Sequence, residues 1–186
     1  MAFLEYFFKK KKAGFTLIEL VVIIGIILVL IIAVLANYRR YQGLTELNSE
    51  AEKVASDIKL VQTYAMSGKE IKGEVPEIFG FYLEYQGDYP REYLLFVDKN
   101  KNGRYDQRSD YTIITNHLNE HVYFANANHG NPLHITFETG TDEVSIMQGT
   151  SRSQVFISLA LRDKPEQIKL ISINTNGLVE VVEPQE

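Results

Sequence analysis

From Phe15 to Ala36 the chain reads FTLIELVVIIGIILVLIIAVLA. Wound as an α-helix, this stretch extends roughly 33 Å against a bilayer hydrocarbon core of about 30 Å, so it is long enough to cross a membrane once. Lys9, Lys10, Lys11 and Lys12 precede it, and Arg39 and Arg40 follow it. The positive-inside bias then places the N-terminus in the cytoplasm and the bulk of the chain beyond the membrane, with Tyr38 and Tyr41 at an interfacial depth.

One residue breaks the apolar run. Glu19 is a carboxylate near the start of the helix, where an ionised group costs less than the about 2.5–3.5 kcal/mol expected at the centre of a span. A plain signal anchor, or a secretory signal cleaved after Val34-Leu35-Ala36, accounts for the run but not for the acid. An ionisable group inside a membrane points to function, and its cost falls when it is paired inside a bundle of helices.

The chain has 186 residues, 45% hydrophobic and 23% charged, which is the make-up of a packed domain and excludes wholesale disorder and a multi-span membrane protein. There is no cysteine, hence no disulfide framework, thiolate nucleophile or Cys-based zinc or iron–sulfur site. Met1 to Gly14 holds four Lys against one Glu; taking it from a chain of 19 basic and 24 acidic residues leaves 15 and 23, a net charge of −8. So acidic a remainder offers no general footprint for nucleic acid or anionic lipid.

Lys9 to Lys12, Ala13 and Gly14, then Phe15-Thr16-Leu17-Ile18-Glu19 and an unbroken apolar helix, resemble the class III signal of type IV pilins and pseudopilins. The resemblance implies cleavage after Gly14 by a prepilin peptidase, N-methylation of the new amine of Phe15, and a Glu19 that meets the N-terminal amine of a neighbouring subunit during filament growth. It also implies an inner-membrane, single-pass protein whose partners are other pilin or pseudopilin subunits and the peptidase/N-methyltransferase. Ala36 departs from the family, in which many members place a helix-kinking proline there; this helix has none between Phe15 and Met66.

Beyond the membrane, Leu44, Leu47, Ala51, Val54, Ile58, Val61 and Ala65 recur at spacings of three and four with charged residues between them. The spacing predicts an amphipathic helix that continues the membrane helix and ends near Ser67-Gly68, packed on a sheet. After Gly73 come short β-rich runs: Phe79–Tyr85, Glu92–Val97, Tyr111–Thr115, His121–Asn126, Leu133–Phe137, Val155–Leu161, Ile168–Ile173 and Leu178–Val182. The expected fold is α+β and pilin-like, a long N-terminal helix packed on an antiparallel sheet or two-sheet sandwich. The expected organisation is a leader over residues 1–14, a transmembrane helix over 15–36, its amphipathic continuation over 37–68, and a β-rich domain over 69–186 that is periplasmic or extracellular.

Phe96 to Asp106 (FVDKNKNGRYD) and Ile171 to Val179 (ISINTNGLV) look like two hairpins of the GspH/FimT group of minor pilins and pseudopilins. In the first, Asp98, Asn100, Asn102, Gly103 and Asp106 fall at positions 1, 3, 5, 6 and 9 of a calcium loop, but the twelfth is Ser109 instead of a glutamate, with Asp110 one residue later. The competing reading is a turn that uses Asn and Gly for left-handed conformations.

His117-Leu118-Asn119-Glu120-His121 matches the letters of the H-x-x-E-H zinc-peptidase motif, which needs a helix; strand-like flanks make loop histidines the expectation. His134 sits in a short β-like run, its imidazole expected to face solvent or a partner. Some relatives in the FimT group bind DNA through basic residues near the C-terminus, but here that tail is acidic. Arg152, Arg162, Lys164 and Lys169 are what remains for a local basic patch. The expectation is therefore a filament subunit without catalysis or cofactor of its own, in a type II secretion pseudopilus or a type IV pilus, with DNA uptake and a tethered zinc hydrolase as rivals.

Overall fold

The computed structural model describes residues 14–125, 131–141, 144–147 and 154–184, with backbone alone at 36–41. Contacts divide the chain into two units, Met1–Tyr41 and Gln42–Glu186. A single helix, α1 (Leu17–Ser67), contributes to both. Ala36, where the family often has proline, lies outside the described side chains.

Within the first unit, the helix from Leu17 to Leu35 is long and apolar enough to cross a membrane, and none of it is buried. So long a bare apolar surface calls for a lipid or protein surround.

The second unit is built on residues 42–67 of α1. Leu47, Ala51, Val54, Ile58, Val61 and Ala65 are fully buried, and each large side chain among them stabilises the fold by about 1.5–3 kcal/mol. The helix stops as its sequence requires. Gly68 takes a positive φ of 59°, its N–H bonds to Ala65 O at 3.2 Å, and the Lys69 N–H reaches Tyr64 O at 2.9 Å. This pair of bonds satisfies the last carbonyls of the helix.

Nine antiparallel strands follow among the described residues. They are β1 (Ile78–Leu83), β2 (Glu92–Val97), β3 (Tyr111–His117), β4 (Val122–Ala125), β5 (Leu133–Glu138), β6 (Val144–Met147), β7 (Gln154–Leu161), β8 (Ile168–Asn174) and β9 (Val179–Val182). They form a five-stranded sheet ordered β3-β2-β1-β5-β6 and a four-stranded sheet ordered β4-β7-β8-β9. The α+β architecture expected from the sequence is what the chain adopts, with the two-sheet alternative realised.

Alternation along the strands explains how the layers meet. Phe79, Phe81 and Leu83 of β1, Tyr93 and Leu95 of β2, and Leu133 and Ile135 of β5 share one core with Ile157 and Leu159 of β7, Ile171 of β8 and the buried stripe of α1. The opposite face of the first sheet is also covered. Leu94, Phe96, His134 and Thr136 point away from that core, yet none is more than 8% exposed. The segment 98–110 lies over Phe96 and His134, with Tyr105 packed on Phe96 and on Tyr82 and its N–H bonded to His134. Gly80 of β1 makes room beneath it, because a Cβ there would stand 2.3 Å from Cε1 of Phe96.

Candidate functional site

The residues that carry the resemblance lie at the start of α1. Gly14, Phe15 and Thr16 precede the helix in no regular structure; Phe15 is 75% exposed, and a Cβ added to Gly14 would meet nothing within 4 Å. Nothing among the described residues packs over Gly14, and nothing in the fold itself demands glycine there. Lys9 to Lys12 and Ala13 lie outside the described residues.

Thr16 and Glu19 hold each other. The Glu19 N–H donates to Thr16 Oγ1 at 3.3 Å, while the Thr16 N–H donates to Glu19 Oε2 at 3.3 Å. This is a capping box, in which the side chains of N-cap and third helical residue each satisfy the other's orphan amide. The carboxylate also sits at the positive end of the helix dipole. The geometry gives Glu19 a role in the single chain, that of closing the helix N-terminus.

The candidate calcium segment is a closed turn. Asp98 is 2% exposed and accepts the Gly103 N–H at 2.6 Å and the Asn102 N–H at 3.3 Å. Asp110 accepts the N–H groups of Lys99 at 3.0 Å and Asp106 at 2.7 Å. Asn100 and Asn102 both turn their amide nitrogens to Asp106 Oδ2, at 2.8 and 2.6 Å, so the interior mixes donors with acceptors instead of forming an oxygen cage. Burial pushes the Asp98 carboxyl above its ordinary range, and the two asparagine bonds hold Asp106 below it. Lys101 and Gly103 supply left-handed φ values of 60° and 75°. As arranged, the oxygens of this loop serve its own amides, and the residues do not fit a calcium cage.

His117 ends β3 and His121 lies in the turn before β4, so the H-x-x-E-H letters do not fall on a helix that would bring both imidazoles to one face. His117 stands 3.7 Å from Glu92 and His121 3.7 Å from Glu120. Among the described residues no three His, Asp or Glu are placed to hold a metal ion. Of the basic residues that remained for a local patch, Arg162 stacks on Tyr89, Lys169 is paired with Glu183, and Arg152 lies outside the described residues.

His134 corrects the sequence reading. It is 8% exposed, and its Nδ1 accepts the Tyr105 N–H at 3.0 Å. The alternation of β5 placed it on the outer face, and nothing in the sequence announced that segment 98–110 folds over that face. A second junction also escaped the sequence: Asp57 Oδ2 on α1 accepts both the Tyr93 hydroxyl at 2.5 Å and the Asn116 amide at 2.8 Å.

Comparison with known families finds the prokaryotic N-terminal methylation motif over residues 9–35. It supports a type IV pilin-like precursor. No curated protein and no solved structure matches the chain. The motif implies processing by a prepilin peptidase and assembly with other pilin subunits, and together with the bare apolar helix it fits anchoring in a membrane.

Proposed function

We propose that the protein is a minor pseudopilin or minor pilin of the GspH/FimT kind, a structural subunit of a type II secretion pseudopilus or type IV pilus. The observation that carries this reading is one continuous segment: an open Gly14–Phe15 bond, a capping box holding Glu19, and an uninterrupted apolar helix behind it. In this mechanism the chain waits in the inner membrane with its β-rich unit on the far side. Cleavage after Gly14 exposes the Phe15 amine, which is then N-methylated. Burial of the apolar helices against one another removes lipid-facing surface, and a Glu19 carboxylate meets the amine of an adjacent subunit, fixing register through a charge pair that is tolerable only inside the bundle.

The test is the N-terminus of the protein recovered from membranes, read by intact mass and N-terminal peptide mass spectrometry, with and without Gly14→Arg. A start at N-methyl-Phe15 that disappears in the variant is the expected result. A start at Asn37 would mean a secreted soluble domain, and an intact Met1 in both would leave a plain tethered domain.

A further inference from the structure

His134 and Tyr105 form the single side-chain-to-backbone tie between β5 and the segment covering it among the described residues. The Tyr105 N–H donates to His134 Nδ1 at 3.0 Å, and the Tyr105 ring packs 5.0 Å from Tyr82 and 5.3 Å from Phe96. Beneath that ring, Phe96 is completely buried. A histidine that accepts at Nδ1 carries its proton on Nε2, so the bond exists only in the neutral ring. Protonation puts a second N–H where the acceptor stood, facing the Tyr105 N–H.

We propose that the His134–Tyr105 contact is an acid-released latch, which frees the Tyr105 backbone from β5 while the Tyr105 hydroxyl stays paired with Thr112 of β3.

The surroundings of the imidazole resist its protonation. From β1 comes Tyr82, 5.1 Å away ring to ring, with its hydroxyl donated to Glu84. From β2 come Leu94 and Phe96, which carry no charge. Burial, aided by Arg104 of the covering segment, outweighs the opposing Asp106 and holds the ring below the ordinary histidine range. The segment's other ties are independent of this ring: Asp98 and Asp110 bind the amides of Gly103 and Asp106 from the loop itself, and the Tyr105 hydroxyl pairs with Thr112 Oγ1 of β3 at 2.9 Å. Release is therefore local, and the rest of the sheet stays paired. The latch depends on the filament reading only for its compartment, because a domain outside the inner membrane experiences the pH of its surroundings.

The measurement is hydrogen–deuterium exchange of the full chain in detergent micelles between pH 7.5 and 5, corrected for intrinsic exchange, beside a ring-nitrogen NMR titration of its histidines. If only the released form takes up the proton at an ordinary pKa of about 6.5, opening of the segment gains up to about 30-fold over this range. The expected result is a loss of protection at the Tyr105 amide that tracks the His134 titration, leaves β7 and β8 unchanged, and vanishes in His134→Gln. Constant protection across the range overturns the latch, as does a loss whose midpoint departs from that of His134 or one that persists in His134→Gln. Should that variant not fold, the wild-type midpoints decide. None of these readouts depends on cleavage at Gly14, so the latch and the filament reading fail separately.

Discussion

Thr16 and Glu19 cap each other, amide to side chain in both directions, at the first turn of the membrane helix. The motif's acid therefore closes its own helix within the single chain. Removing either side chain leaves an amide without its partner, at a cost of about 0.5–2 kcal/mol. In detergent-solubilised chain, Thr16→Ala and Glu19→Ala should each speed exchange of the first-turn amides by roughly 2- to 30-fold. Because the two residues act as one device, the double variant should do little more than either alone. Unchanged exchange in both single variants would show that the box does not persist in the micelle.

Asp57 ties α1 to the first sheet, and the tie depends on Tyr93. Its hydroxyl bond of 2.5 Å and that of Asn116 fall on one carboxylate oxygen. Tyr93→Phe keeps the ring packed against Phe81 and Phe124 while taking a donor from a partly buried charge. The expected loss is about 1–3 kcal/mol, seen in denaturant midpoints at constant m-value. Asn116→Ala should cost a similar amount, with non-additivity in the pair. Wild-type stability in Tyr93→Phe would mean that water replaces the hydroxyl at no cost.

What was legible in the sequence was whatever repeats locally. The spacing of Leu47, Ala51, Val54, Ile58 and Val61 announces one buried helix face, and Gly68 its end, because period and cap are properties of neighbouring residues. The eight expected runs correspond to strands, but β6 escaped. Only Val144 and Ile146 alternate there, across four residues, too few to distinguish a strand from a loop. The pairing of β1 with β5, Ile78 opposite Glu138, has no local signature at all. Glu92–Val97 reads as a strand, and so it is, but the cover over Phe96 arrives from a segment whose letters suggested a metal loop. His134 was misread for the same reason. The Gly14–Phe15 junction was readable because the motif around it is linear sequence.

Gly80 offers a test of the second apolar face. Its missing side chain is what the Phe96 ring occupies, with Cε1 at 2.3 Å and Cζ at 2.4 Å from where a Cβ would stand. Gly80→Ala must therefore displace that ring, at a cost of about 1–3 kcal/mol by overpacking. The penalty should shrink when Phe96 is shortened to Leu, which vacates the contested space. Strictly additive costs in Gly80→Ala, Phe96→Leu and the double variant would sever the two positions energetically and contradict the packing.

Three tyrosines should set the alkaline limit of the fold. Burial and the bond to Glu84 push Tyr82 up to about 12, burial raises Tyr85 further, and burial with the bond to Asp57 raises Tyr93 further still. In each case the folded chain holds its proton more tightly than the unfolded chain, whose tyrosines titrate near about 10. Their contribution to stability is thus complete below about pH 10 and is lost as the pH climbs from there toward the folded values. Tyr111 behaves oppositely, since Lys99, 2.9 Å from its hydroxyl, lowers its pKa. A spectrophotometric titration of the 11 tyrosines should show an early non-cooperative phase that includes Tyr111, then a steep step coincident with loss of circular dichroism as Tyr85 and Tyr93 ionise on unfolding. Tyr93→Phe should reduce the amplitude of that step by one tyrosinate. A single shallow titration centred near pH 10, with the dichroism unchanged throughout, would mean that these hydroxyls are not sequestered.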